Sequence, residues 1–333
     1  MPDTVLVTGG AGFLGSHVAE NLVRSGFDVL VLDDLSGGYR ENVPRSARFM
    51  QGSILDVDLI DDIFSRTTFR FVYHLAAYAA EGLSHFIKRF NYRNNLVGSV
   101  NLINNCVNHN VECLVFTSSI AVYGSGQLPM TEDMVPHPED SYGIAKWAVE
   151  QELHISRMMF GLNSIIFRPH NVYGERQNIG DAYRNVVGIF MNQILQGKPM
   201  TIYGDGTQSR AFTYVGDVAP VIARAPSHRK AYGQTYNLGS DTPCDVNRLA
   251  EQVAHAMGAP SAAVRHLPAR KEVLHAYSRH EKVRRAFDCP PETPLEEGLR
   301  RMAQWVKTVG ARKSAGFSQI EIEKGLPAVW KTR

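Results

Sequence analysis

Cysteine is scarce in this chain: its 333 residues include four, Cys106, Cys113, Cys244 and Cys289. They form no C-x-x-C pair and no zinc-ligand spacing, so they read as reduced thiols, and no metal site is expected. A charge excess of either sign is also missing. Against 33 acidic residues stand 35 basic ones, and the net +2 supplies no field to recruit nucleic acid or an anionic membrane. No apolar run reaches membrane-spanning length, the N-terminus shows neither a basic n-region nor a small-residue cleavage site, and no internal repeat or low-complexity tract is present. Together these absences lead us to expect a soluble, cytoplasmic protein. Apolar residues, by contrast, are plentiful. At 44% hydrophobic, the chain has material for a large α/β domain with a smaller one appended, or for two domains.

The first thirty-four residues carry the densest pattern. TVLV at 4–7 is an apolar run without alternation, as expected of a strand covered on both faces. TGGAGFLGSHVAENLVRSG follows, with Gly9, Gly12 and Gly15 allowing a tight turn, close backbone approach to a phosphate, and close helix-to-strand packing. Leu14, Val18, Leu22 and Val23 give a helical apolar face, and Gly26 is placed to end the helix. A second buried strand, DVLVL, ends at Asp33, about 20 residues past the loop, where a ribose hydroxyl would lie. This order of strand, glycine turn, helix, strand and acid predicts dinucleotide binding. A carboxylate at Asp33 predicts NAD over NADP, because it would repel the extra 2′-phosphate.

Alternation continues with FVYHLAA at 71–77, a helix around NNLVGSVNLINNCVNH, and CLVFTSS at 113–119, the pattern of a doubly wound parallel sheet. Ligands of such sheets sit at the carboxyl ends of the strands. Three candidate positions fall there: Gly9 to Gly15, Ala76 with Ala77, and Ser118 with Ser119. SYGIAKW at 141–147 then opens a helix and sets Tyr142 and Lys146 one turn apart on one face. Alone, the pair reads as an amphipathic helix with a packed tyrosine and a solvated lysine. Beside a dinucleotide loop and a strand-end serine it predicts proton-coupled hydride transfer: Tyr142 is the base, Lys146 favours its ionised form, and Ser119 bonds the reacting oxygen.

TGGAGFLGSH, HLAA, TSSIAVYG and YGIAK, in that order and spacing, resemble the extended short-chain dehydrogenase/reductase family, and within it the nucleotide-sugar epimerases of the UDP-glucose 4-epimerase group. The resemblance runs from about residue 4 to about 308. It implies a Rossmann doubly wound sheet in residues 1–167, with about 206–239 returning to it. A smaller C-terminal α/β substrate domain would be built from 168–205 and 240–311. Further members of the NAD site would be Phe13, Leu14, Ser36, Ser53, Ile54, Leu75 and Asn95, with Ala76, Ala77, Tyr142 and Lys146. Substrate contacts would come from Ser119, Asn171, Tyr203, Arg210 and Arg270, the two arginines on the diphosphate. A homodimer joined through two helices per subunit is implied by the resemblance alone. Residues 312–333 lie beyond it.

Several positions depart from the group's pattern. Ser53 stands where an aspartate near the adenine amine is usual, and Ala211 replaces a common aspartate. After HLAA the loop carries Glu81, His85, Lys88 and Arg89, for which a charged sugar, an altered lid and surface drift all remain open. Ile120 and Ala121 occupy the positions where dehydratases carry an acid pair and decarboxylases a glutamate, so reversible C4 epimerisation of a UDP-hexose is the expected reaction. Net oxidoreduction, dehydration or decarboxylation of a nucleotide sugar, and a non-catalytic NAD sensor, are the alternatives. At the gate beside the sugar's C2 substituent, counting without a gap from Arg270 selects Tyr277. An alignment with one deletion selects Ala276 and is preferred, because it brings His275, Lys282, Arg284 and Arg285 into register.

Overall fold

The computed structural model describes residues 2–270, 272–313 and 317–331. From the N-terminus run β1 (Thr4–Thr8), α1 (Phe13–Arg24), β2 (Asp28–Asp33), β3 (Arg48–Gln51), α2 (Val57–Arg66) and β4 (Phe71–His74). Short helices α3 (Glu81–Ser84) and α4 (Lys88–Tyr92) lead through a π-helical turn at Arg93–Val97 into α5 (Gly98–Asn108). Next come β5 (Cys113–Thr117), α6 (Ser141–Phe160) and β6 (Ser164–Pro169). The apolar runs of β1, β2, β4 and β5 are buried along nearly their whole length, which is why their sequences do not alternate.

The remaining elements are β7 (Val172–Tyr173), α7 (Val186–Leu195), β8 (Met200–Tyr203), β9 (Ser209–Ala211), β10 (Thr213–Tyr214), α8 (Val215–Arg224) and β11 (Gln234–Leu238). They are followed by β12 (Pro243–Asp245), α9 (Val246–Ala256), β13 (Val264–Leu267), β14 (His275–Ala276), α10 (Glu281–Ala286), α11 (Leu295–Val309) and α12 (Ala328–Lys331).

Seven strands form one parallel sheet in the order β11, β6, β5, β4, β1, β2, β3. Strand order reverses between β1 and β4, and at such a switch point the flanking loops part to leave a crevice. Small sheets pair β8 with β13 and join β12, β9 and β14. The segment 206–239 is therefore divided. Ser209–Ala211 pairs with β12 and β14 in a small sheet, while β11 pairs with β6 in the large one.

Helix ends show how the chain prepares a ligand site. Asp56, Asp140 and Asp245 each cap the helix that follows, accepting the N–H of Leu59, Gly143 and Arg248 respectively. α1 is different: Gly12 is its cap and supplies no side-chain acceptor. Its first-turn N–H groups thus remain open to an anion, with the helix dipole behind them.

Candidate active site

A cleft of about 980 Å³ opens at the carboxyl ends of the large sheet and runs across to the small sheets. That is the upper end of what one small ligand occupies, and it suits an extended ligand or two adjacent ones.

The cofactor side is shaped by missing side chains. Gly9 has φ +72°, and a Cβ there would lie 2.6 Å from the Ala76 nitrogen. At Gly15 a Cβ would sit 2.1 Å from the Gly9 carbonyl oxygen, and at Gly12 3.0 Å from it. Only glycine lets the turn close this tightly against β4 and α1. Asp33 is buried at the end of β2, where its carboxylate accepts N–H bonds from Ala11 at 2.9 Å and Leu35 at 2.8 Å. Burial still raises its pKa, against the pull of those backbone donors. With two of about four acceptor positions engaged, the carboxylate keeps capacity for a ribose hydroxyl. Leu35 holds φ +61°, an unfavourable geometry for a branched residue, stored at the loop facing the cleft. Phe13, Leu14, Ser36, Ser53, Ile54, Leu75, Ala76 and Ala77 all line this half.

Asn95 does not line it. Its side chain is buried, accepts the Tyr78 N–H at 2.8 Å, and donates to the Tyr78 carbonyl at 3.1 Å and to Asn91 at 2.8 Å. The expectation of a cofactor contact is corrected: Asn95 fixes the chain just beyond Ala77, from within the π-helical turn. The neighbouring Asn94 reaches the cleft.

Ser119, Tyr142 and Lys146 meet at the sheet's carboxyl edge. The two strand-end serines separate by their partners. Ser118 is buried and donates to Glu150, which also holds Arg168 in a buried pair, whereas Ser119 faces the cleft within hydrogen-bonding reach of the Tyr142 phenol. Lys146 does not behave as expected. Its Nζ donates to the Thr117 carbonyl at 2.8 Å and lies 5.8 Å from the Tyr142 ring centroid. Burial raises the phenol's pKa; Ser119 pulls it down, Asp140 and Glu81 raise it further, and Arg184 lowers it. Burial also pushes Lys146 down to about 7, partly opposed by Glu150. In the protein alone, desolvation thus dominates the tyrosine, and the lysine is the member brought near neutrality.

On the substrate side, Asn171, Tyr203, Arg210 and Arg270 all line the cleft. Arg270 lies 3.8 Å over the Tyr203 ring and 3.3 Å from Glu272, and its buried Nε has no hydrogen-bond partner among the described residues. Such an open guanidinium edge suits a diphosphate oxygen. Arg210 is braced by the carbonyls of Ser209 (2.8 Å), Leu274 (2.9 Å) and Val273 (2.5 Å), leaving only part of its fork to a ligand. Asn171 has φ +41°, a rare conformation placed on the cleft wall. Ala276 lines the cleft and Tyr277 is not among its lining residues.

Sequence reasoning missed two contributors. Arg184 pairs with Asp181 at 2.5 Å, stacks 4.9 Å over Tyr78 and reaches Gly37 in the loop after β2, so it bridges both halves. The segment 317–330 folds back on residues 78–90. Trp330 and Leu326 pack with Ala80, Leu83 and Ile87, and Trp330 lies 5.6 Å from the Arg270 guanidinium. No motif announces either, since both act through contacts with segments distant in sequence. Among the described residues, no helix is long and apolar enough to cross a membrane, and no cluster of His, Cys, Asp or Glu has the makings of a metal site.

A parallel sheet with its switch-point crevice, a glycine-built anion cradle and a Ser–Tyr–Lys cluster define a dinucleotide-dependent enzyme of the short-chain dehydrogenase/reductase type. Residues 5–239 match the NAD dependent epimerase/dehydratase family, and the chain belongs to it. It is 32% identical over 310 residues to a UDP-glucose 4-epimerase of Mycolicibacterium smegmatis, covering 91% of this chain and 98% of that protein. The UDP-glucose 4-epimerase of Thermotoga maritima, solved with UDP-glucose, superposes with a TM-score of 0.88 at 33% identity, covering 92% of this chain and 99% of that one. The UDP-glucuronic acid 4-epimerase of Bacillus cereus, solved with UDP-glucuronic acid and NAD, gives 0.84 at 26% identity, covering 92% and 99%.

Proposed function

We propose that this protein interconverts the C4 epimers of a UDP-hexose with no net redox change, Tyr142 carrying the proton. The observation that carries this reading is the meeting of Ser119, Tyr142 and Lys146 beside the glycine cradle, with apolar Ile120 and Ala121 in the adjoining wall. At those two positions no acid stands ready to expel a hydroxyl, which disfavours dehydration. NAD supplies reversible hydride acceptance at a carbinol carbon, and the Gly9 to Gly15 turn, the uncapped start of α1 and Asp33 fit its pyrophosphate and ribose.

Tyr142, as the phenolate, takes the 4-hydroxyl proton and becomes the neutral phenol, while the Ser119 hydroxyl bonds the sugar's reacting oxygen. The resulting 4-keto sugar turns within the cleft, and Tyr142 returns the proton to the oxygen on the opposite face. Arg270 and Arg210 hold the diphosphate during that turn, so the sugar rotates without leaving. Residues 1–167 with the return from about 213 to 239 form the cofactor half, and the intervening and following segments to 311 form the substrate half. Ala276 sits beside the sugar's C2 substituent and leaves room for an acetamido group.

Exposed Ile144, Ile155, Met158 and Met159 on α6 give an apolar face that supports a homodimer through that helix. Four free cysteines, three of them buried, fit a reducing cytoplasm.

The test is direct: NAD and a panel of UDP-hexoses, including UDP-glucose and UDP-N-acetylglucosamine, are incubated with the protein and the sugars separated. Appearance of the C4 epimer without accumulation of NADH is expected. Stoichiometric NADH with no epimer would replace this reading with net oxidation.

A further inference from the structure

We propose that Glu81 reads the sugar, accepting the hydroxyl donors of an uncharged hexose and rejecting sugars that carry a carboxylate. This rests on the epimerase reading above and names the substrate class within it. Glu81 opens α3, a few residues beyond the Ala76–Ala77 pair, and lines the same cleft as Ser119 and Tyr142. Its side chain is accessible to solvent, but that surface faces the cleft and the surrounding protein desolvates it. Among the described residues, no donor hydrogen-bonds its carboxylate, although Asp140, Arg210, Glu272 and His85 act on it electrostatically and it acts on Tyr142. A cleft-lining carboxylate without a protein donor takes donors from whatever fills the cleft, and sugar hydroxyls supply them.

A uronate carboxylate in that position would face Glu81 with Asp140 and Glu272 close by. The cleft's arginines are committed elsewhere: Arg184 holds Asp181, Arg210 is braced by three carbonyls, and the open edge of Arg270 is taken by the diphosphate in the reading above. Nor is the wall free to swing clear. The Glu321 carboxylate accepts the backbone N–H groups of Arg89 at 2.9 Å and Phe90 at 3.0 Å, the Glu321 backbone N–H donates to the Phe86 carbonyl at 2.8 Å, and Trp330 packs against Phe86.

The proposal has a pH signature. Burial, then Asp140, raises the Glu81 carboxyl to about 7 against the opposing pulls of Arg210 and His85, with Glu272 adding to the rise. Above that pH the group is ionised and repels a uronate; below it the group is protonated and the repulsion lifts. His85, lowered by burial, gains its charge only on the acid side of its ordinary range, which adds to the same trend.

Rates of UDP-glucose and UDP-glucuronate epimerisation by the NAD-saturated protein test this between about pH 6 and about pH 8. The wild type is expected to favour UDP-glucose by about 30-fold or more at the upper end, a margin that narrows several-fold at the lower. Glu81→Gln, which keeps the shape, and Glu81→Ala should bring the ratio within about 3-fold and flatten its pH slope. Equal use of both sugars by the wild type, or an unchanged ratio in both variants, overturns the assignment. Calorimetric dissociation constants of the two nucleotide sugars report the same discrimination without turnover. Selective binding with no epimerisation of either sugar would sink the epimerase reading while supporting Glu81.

Discussion

Between Thr8 and Asp33 the cleft wall is backbone: three glycines, an uncapped helix start, and one carboxylate pinned by two N–H groups. Across the cleft the wall is side chain, assembled from Glu81, Arg184, Arg210, Arg270 and Ala276, with Trp330 behind. The first wall is made by one continuous stretch whose sterics allow little else. The second is made by five separated stretches, any of which can change without disturbing a turn. Two relatives similar in fold are named for different sugars, UDP-glucose and UDP-glucuronic acid, as expected where one fold carries sites that differ.

Substitutions at three positions break or sharpen the contrast. The largest effect belongs at the seam between the walls. Tyr142→Phe removes one oxygen, so NAD binding and thermal stability should be retained while kcat falls by about 10² to 10⁴; near-normal turnover would remove the proton carrier from the scheme. Next is the backbone wall. A methyl at Gly15 would stand 2.1 Å from the Gly9 carbonyl oxygen, which cannot retreat without opening the turn. Overpacking of about 1 to 3 kcal/mol predicts NAD binding weakened roughly 5 to 150-fold in Gly15→Ala. An unaltered NAD titration would show that the turn has slack. The smallest effect is expected in the side-chain wall. Trp330→Ala removes a partner from Arg270 and should raise KM for the nucleotide sugar about 2 to 5-fold, the worth of a partly exposed cation–π contact, with kcat and NAD affinity kept. Trp330→Phe should restore KM. If neither variant moves KM, the segment 317–330 is only an outer covering.

Legibility followed the same division. Gly9, Gly12, Gly15 and Asp33 were readable because their role is local: the spacing that lets a chain turn between β1 and α1 is written in consecutive residues. Tyr142 and Lys146 were readable as a pair for the same reason, being one helical turn apart. The direction of their titration was not, because it depends on how much protein surrounds them, and burial shifted both groups against the expected sense. Asn95 was misassigned although its position was right. The resemblance implied a place at the cofactor, whereas the π-helical turn directs its amide toward Tyr78.

Order of elements, the parallel sheet, the glycine turn and the Tyr142–Lys146 pair of the proposed site were determined by the sequence itself, since each rests on periodicity, sterics or spacing within a few residues. The tertiary structure alone decided that Ser118 turns to Glu150, that Arg184 spans both walls, that residues 317–330 return to brace 78–90, and that Glu81 lines the cleft with no hydrogen-bond donor on its carboxylate among the described residues. Each of these depends on distances between segments far apart in the chain. No local pattern encodes such distances; they are set when a common core packs and excludes water.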